Sequence, residues 1–191
     1  MGVLVGVALT SGLRAEGPWL LAQESRLNQL KADYEGKGGP SNPPEAKAMA
    51  TKIVKEADKR VGKPVITITQ NENLQASKDP HDYFSIGRYF WPDPSKPDGL
   101  PWINRDGETN PDAVKASDEK KLSEMIHTVD YLALAYYLTG DERYGAEAAR
   151  YLRGFFLDTE TKMNPHLNYG QSVPGQKTGR GSGLIDTRGF M

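Results

Sequence analysis

Residues 81 to 102 read HDYFSIGRYFWPDPSKPDGLPW, and no other stretch restricts the fold as strongly. It holds six of the chain's seventeen Phe, Trp and Tyr residues, together with Pro92, Pro94, Pro97 and Pro101. Proline removes a backbone donor and fixes φ, so this stretch can be neither a helix nor a central strand. Disordered segments are poor in aromatic residues, and this one is rich in them. From Gln70 to Ala116 no helical period appears. A loop of that length in a compact domain is usually functional. The stretch is therefore expected to be an ordered loop that does a job.

Helices surround it. Residues 19–34 place Leu20, Leu27, Leu30 and Tyr34 roughly on one face. After the breaker GKGGPSNPP a second helix is expected, with Asn42 as N-cap and Pro43, Pro44 and Glu45 in its first turn. Met49, Ala50, Ile53, Ala57 and Val61 form its expected apolar face, and Gly62 and Pro64 end it. The run VITIT, 65–69, reads as a short strand. The strongest pattern lies at 117–157. Ser117 is the expected cap of a helix whose apolar positions are Leu122, Met125, Ile126, Val129, Leu132, Ala133 and Tyr136. Gly140 ends it, Asp141 caps the next, and Tyr144, Ala148, Tyr151, Leu152 and Phe155 continue the period. The turn LTGDE thus joins an antiparallel helical hairpin, which needs neighbours to bury both its faces.

With 24 Lys and Arg against 25 Asp and Glu, the chain has a net charge of −1, which argues against a dedicated nucleic-acid partner. It has no cysteine, so thiolate zinc sites and a Cys nucleophile are excluded. The apolar run Val3–Leu9 is far too short to span a membrane. With small residues and Ala15 behind it, it reads as the end of a secretory signal, although no Lys or Arg precedes it. His81, His127 and His166 lack helical zinc spacing, and His127 sits within a periodic helix as a packing or surface residue. TGRGSG falls short of a phosphate loop, and no G-x-S-x-G occurs.

What remains is planar and polar groups on two irregular segments. The first supplies His81, Tyr83, Arg88, Tyr89, Trp91 and Trp102. The second, 164–188, supplies His166, Asn168, Tyr169, Gln171, Lys177 and Arg180. From Lys162 to Met191 the chain is locally basic, with Lys162, Lys177, Arg180 and Arg188 against Asp186, a net of +3. Aromatic faces suit sugar rings, while Arg, Lys, Asn and Gln suit hydroxyls and carboxylates. Phe84, Ile86 and Phe90 are expected to pin the loop; Trp91 and Tyr83 suit either anchoring or sugar contact.

HDYFSIGRYFWPDPSKPDGLPWINRDGETNP, 81–111, resembles the N-terminal hallmark of the alginate lyase domain family. Members carry a similar His-Asp-Tyr, an aromatic pair before Pro-Asp-Pro, Lys-Pro-Asp-Gly-Leu-Pro and Arg-Asp-Gly-Glu. MNPHLNYGQSVPGQKTGRGSGLIDTR, 163–188, is similar to the family's Asn-Pro-x-Leu-Asn-Tyr-x-Gln stretch and its Gly-Arg-Gly, and LTGDERY between them also fits. The resemblance implies an all-α chain, an incomplete α/α toroid of antiparallel helical hairpins with long ordered loops. It implies a periplasmic or secreted protein acting by β-elimination on a uronate-containing polysaccharide such as alginate. Such a protein needs neither metal nor organic cofactor, and its partner is an acidic polysaccharide or oligosaccharide rather than nucleic acid or membrane.

The resemblance carries substrate binding to Tyr83, Trp91, Asn168, Tyr169, Gln171 and Arg180, and the chemistry of the two segments adds His81, Arg88 and His166 as substrate-binding candidates. The family's catalytic His lies in an Asn-Asn-His motif that this sequence lacks, so the base and acid are not carried over. Residues 1–15 are expected to be a signal remnant, and 16–191 the N-terminal part of the domain, truncated at its C-terminal end. The alternatives are a non-catalytic carbohydrate-binding module and, further off, a helical-repeat interaction protein.

Overall fold

The structure, a computed structural model, describes residues 23–39, 44–72, 77–176, 179 and 186. The signal-like run, Leu20, the Asn42 cap, Lys177, Arg180 and the apolar pair Leu184–Ile185 lie outside the described residues.

Five α-helices form the frame of the described residues: α1 (Glu24–Tyr34), α2 (Pro44–Asp58), α3 (Pro111–Ala116), α4 (Glu119–Thr139) and α5 (Glu142–Phe156). Four short strands join them: β1 (Phe84–Ile86), β2 (Phe90–Trp91), β3 (Ile103–Asn104) and β4 (Tyr169–Ser172). The scaffold is therefore helix-rich, as the sequence implies, but not purely helical. The VITIT run is not a strand; it ends in a 3₁₀ turn at Ile68–Gln70. Its β-branched residues find no ladder, and Ile68 instead inserts into the core at 1% exposure.

α4 and α5 are joined as their turn residues dictate. Gly140 takes the left-handed conformation, φ +71°, that only glycine adopts without strain, and its N–H bonds the Tyr136 carbonyl at 2.8 Å. Asp141 then caps α5, accepting from the Arg143 N–H at 3.0 Å. Asp141→Ala is expected to cost about 1 kcal/mol, which a thermal melt would show as a fall of about 2–4 °C.

Leu132 and Ala135 of α4 meet Tyr144, Ala148 and Tyr151 of α5 and Ala57 of α2 in one core cluster. A second cluster gathers Ile68, Tyr83, Leu122, Met125 and Phe155, and so seats the first loop on the helices. α5 is also tied to the end of α2: the Tyr144 hydroxyl donates to Asp58 at 2.6 Å, and Arg150 donates to the Lys63 carbonyl at 2.6 Å.

The apolar faces of α2 and α4 are shifted from their expected positions, and that of α5 is as expected except for one residue. On α2 the buried side runs through Ala50 and Ala57 with Val54 and Val61, whereas Met49 is 61% exposed. Small residues there let α2 approach its neighbours closely, and the longer Met49 falls off that line. On α4, Thr128, Ala135 and Leu138 are buried while Ala133 and Tyr136 are exposed, and on α5 Leu152 is exposed. Ser117 does not cap α4. It ends α3, and its hydroxyl donates to the Ala113 carbonyl at 2.7 Å while accepting the Ile86 N–H at 2.9 Å. Asp118 precedes α4 in its place, with its carboxylate turned toward β1.

Candidate substrate site

The two segments singled out in the sequence are brought together by backbone pairing. β1 and β4 run parallel, with Phe84 opposite Tyr169 and Ile86 opposite Ser172. Two residue steps on β1 thus face three on β4, which leaves one extra residue in β4. Gln171 absorbs it by taking φ +48°, a strained value for a non-glycine residue. The pairing continues beyond the strands, where the Gly87 N–H donates to the Ser172 carbonyl at 3.0 Å and the Trp102 N–H to the Pro174 carbonyl at 2.9 Å. At the other end the Asn164 N–H donates to the His81 carbonyl, and His81 Nδ1 lies 2.7 Å from the Lys162 carbonyl.

Beneath this surface lies a polar cluster centred on Asp186. The Tyr83 hydroxyl donates to Asp186 Oδ2 at 3.0 Å, Gln171 Nε2 donates to Oδ1 at 3.0 Å, and the Ser85 hydroxyl bonds Oδ2. Ser85 Oγ in turn accepts the Gln171 N–H at 2.7 Å. Tyr83 is 1% exposed and Gln171 5% exposed, so both form the floor of the surface rather than its face. Burial first, and the Asp186 carboxylate second, push the Tyr83 phenol far above its ordinary pKa. The phenol therefore stays protonated as a donor to Asp186.

The face itself is built by half-exposed and exposed groups. His166 Nε2 lies 3.2 Å from Asp82 Oδ1, and the same oxygen accepts from Asn164 Nδ2 at 2.7 Å. Asn164 also donates to Asp79 at 3.2 Å. The His81 N–H, with help from Asn164, holds the Asp79 carboxyl below the usual carboxylate range. Nε2 thus faces the Asp82 carboxylate, and Nδ1 is buried with no hydrogen-bond partner among the described residues. The ring stands edge-on to Tyr169 at 6.3 Å. Asn168 is exposed, and its carbonyl accepts the Gly179 N–H at 2.8 Å.

Arg88 and Trp91 follow β1 in the chain, Trp91 within β2, which pairs with β3. Arg88 Nη2 contacts both oxygens of Glu119, in the first turn of α4, at 2.6 and 2.8 Å. Its charge is engaged within the protein. Trp91 is half-buried; its indole N–H donates to the Glu108 carbonyl at 2.9 Å and the Arg105 guanidinium sits 5.3 Å from its ring. Arg180 is outside the described residues.

Sequence reasoning passed over Ser85, Asp82, Asn164, Arg105 and Asp186 as site residues. Asp82 was within reach, because it stands in the His-Asp-Tyr run; Asp186 carried no local signal. Among the described residues, no group of three or more His, Asp or Glu side chains is placed to hold a metal ion. Nor is any helix among them long and apolar enough to cross a membrane.

A family model described as alginate lyase matches residues 67–191, which takes in both segments and the helices between them. The chain belongs to the alginate lyase family. The crystal structure of an alginate lyase from Bacteroides ovatus is 41% identical to it, with a TM-score of 0.74 over 87% of this chain. The chain spans only 42% of the length of that alginate lyase. No curated protein matches it. Alginate lyase family membership makes it a polysaccharide lyase-like protein, and the β1–β4 pairing unites the two segments that carry the family's motifs.

Proposed function

We propose that the chain is the N-terminal part of a lyase that cleaves a uronate-containing polysaccharide by β-elimination, and that it supplies binding surface rather than the proton transfers. The observation that carries this reading is the joining of the two family segments into one face by β1 and β4. His81, Trp91, His166, Asn168 and Tyr169 are the groups offered to the sugar. Tyr83 and Gln171 hold the floor, and Arg88 holds the loop to α4. α4 and α5 then form one antiparallel hairpin of an α/α toroid in a secreted or periplasmic protein.

β-Elimination needs a positive or hydrogen-bonding partner for the carboxylate, a base for the C5 proton and an acid for the departing glycosidic oxygen. The family's Asn-Asn-His is absent from this sequence, and the chain covers less than half of its relative. Those roles are therefore assigned to a remaining portion of the catalytic unit. Incubating the purified chain with alginate or polyglucuronate, and following the absorbance of the unsaturated product, is expected to give turnover close to the blank. Robust turnover would overturn the division of labour. Trp91→Ala is expected to weaken alginate-oligosaccharide binding about tenfold, about 1.4 kcal/mol, by titration calorimetry. If binding persists but a longer form of the protein also yields no unsaturated product, the non-catalytic binding-module reading takes its place.

A further inference from the structure

The outward face of α2 carries charge for which the loop surface has no use. Lys47, Lys52, Lys55 and Lys59, with Thr51 and Glu56, line an open groove of about 580 Å³. Four ammonium groups against one carboxylate make a local net charge of +3, on a chain whose overall charge is −1. Glu56 is already taken by Lys59 at 2.6 Å and Arg60 at 3.1 Å, and those two hydrogen bonds hold its carboxyl below the ordinary range. Among the described residues no carboxylate pairs with Lys47, Lys52 or Lys55.

Ala57 and Val54 of α2, with Val61 just after it, pack against α4 and α5, so Lys47, Lys52 and Lys55 stand on a firmly seated helix. A rise of 1.5 Å per residue puts Lys47, Lys52 and Lys55 about 7.5 and 4.5 Å apart along the axis, with Lys59 just past the helix end. Those steps are of the order of one sugar unit in an extended polysaccharide.

We propose that this face is a second docking surface for the acidic polysaccharide, a lysine ladder that holds successive uronate carboxylates by charge. The inference rests on the reading that the substrate is a uronate polymer. Lysine is the suitable residue for it: a hydrated point charge on a flexible stem tolerates variable carboxylate spacing, where the rigid fork of arginine favours one geometry. Single exposed contacts of this kind are weak, but a polymer already held at the loop surface meets the ladder at high effective concentration. The contribution is screened by salt.

The test is affinity electrophoresis of the whole chain in native gels containing sodium alginate, neutral hydroxyethyl cellulose or no polymer. Alginate is expected to retard the wild type. The triple variant Lys47→Gln, Lys52→Gln, Lys55→Gln is expected to bind at least fivefold more weakly, with unchanged circular dichroism and melting, and the difference should vanish at high NaCl. A Trp91→Ala chain should keep the lysine-dependent part. Equal retardation of the triple variant and wild type overturns the ladder and leaves the lyase reading intact. So does equal retardation of the wild type by the neutral polymer, or tighter binding of inorganic polyphosphate than of alginate at equal charge. Failure of alginate to retard the wild type also overturns the ladder, while the unsaturated-product measurement on a longer form of the protein judges the lyase reading separately.

Discussion

Gly175→Ala is expected to destabilise the protein by about 3 kcal/mol, from a strained backbone and an overpacked contact acting together. For a chain of this size that corresponds to a fall of about 6–12 °C in melting temperature. Gly175 has φ +90°, a region that L side chains rarely adopt. An added Cβ would also lie 2.6 Å from the Pro101 Cα and 3.2 Å from its nitrogen. Those are backbone atoms of the first loop, held by the Trp102 N–H bond to the Pro174 carbonyl, so they cannot swing aside as a side chain tip would. The two segments would be forced apart at their point of closest approach. A denaturant titration showing a loss under about 1 kcal/mol would mean that the 99–102 turn yields, and that the segments are held together elsewhere.

Asp118→Ala is expected to be comparably damaging, about 3 kcal/mol, because it removes the acceptor of one buried backbone donor and of two half-buried side chains at once. Asp118 is 1% exposed. Its Oδ2 accepts the Phe84 N–H at 3.0 Å, and its Oδ1 accepts from Asn71 at 2.8 Å and from Lys121 at 3.0 Å. Its own N–H donates to the Phe84 carbonyl at 2.8 Å, so a single residue closes both backbone groups of Phe84 against the start of α4. The pH dependence has a definite sign. Burial raises the Asp118 carboxyl above the ordinary carboxylate range, against the lowering effect of Lys121 and the Phe84 N–H. A carboxyl raised on folding contributes most below its unfolded pKa, and loses that part of its contribution as pH rises through the folded value. The gap between wild type and Asp118→Ala is therefore expected to narrow from acidic toward neutral pH. What persists at neutral pH is the cost of the unpartnered Phe84 N–H. Denaturant titrations at several pH values would measure both parts, and a gap that widens with pH would show that Lys121 outweighs burial.

The helices were legible because their signals are local. Gly140 and Asp141 announce a helix end and a helix start through their own backbone preferences, and the 3.6-residue period of α4 and α5 needs no partner to be read. Which side of each helix is buried was less legible. Met49, Tyr136 and Leu152 look like core residues by type, but the contact faces were decided by small residues such as Ala50, Ala57 and Ala135 that let neighbouring helices close in.

The candidate site divides in the same way. Trp91, His166 and Asn168 could be chosen as surface groups from their place in proline- and glycine-rich segments. Tyr83 could not be assigned to the floor, because the carboxylate that claims its hydroxyl, Asp186, is far away in sequence. Arg88 likewise looks like a free carboxylate ligand until Glu119 is seen against it.

By itself, then, the sequence determined the helical frame, its turns, and the family to which the two unusual segments point. Each of these depends on residues close together along the chain or on a continuous motif. Only the tertiary structure decided that the segments pair through β1 and β4, that Tyr83 and Gln171 lie beneath the surface, and that Arg88 is already neutralised. Those outcomes depend on burial and on charges brought together from distant positions, and no local pattern encodes which distant carboxylate a buried hydroxyl or guanidinium will meet.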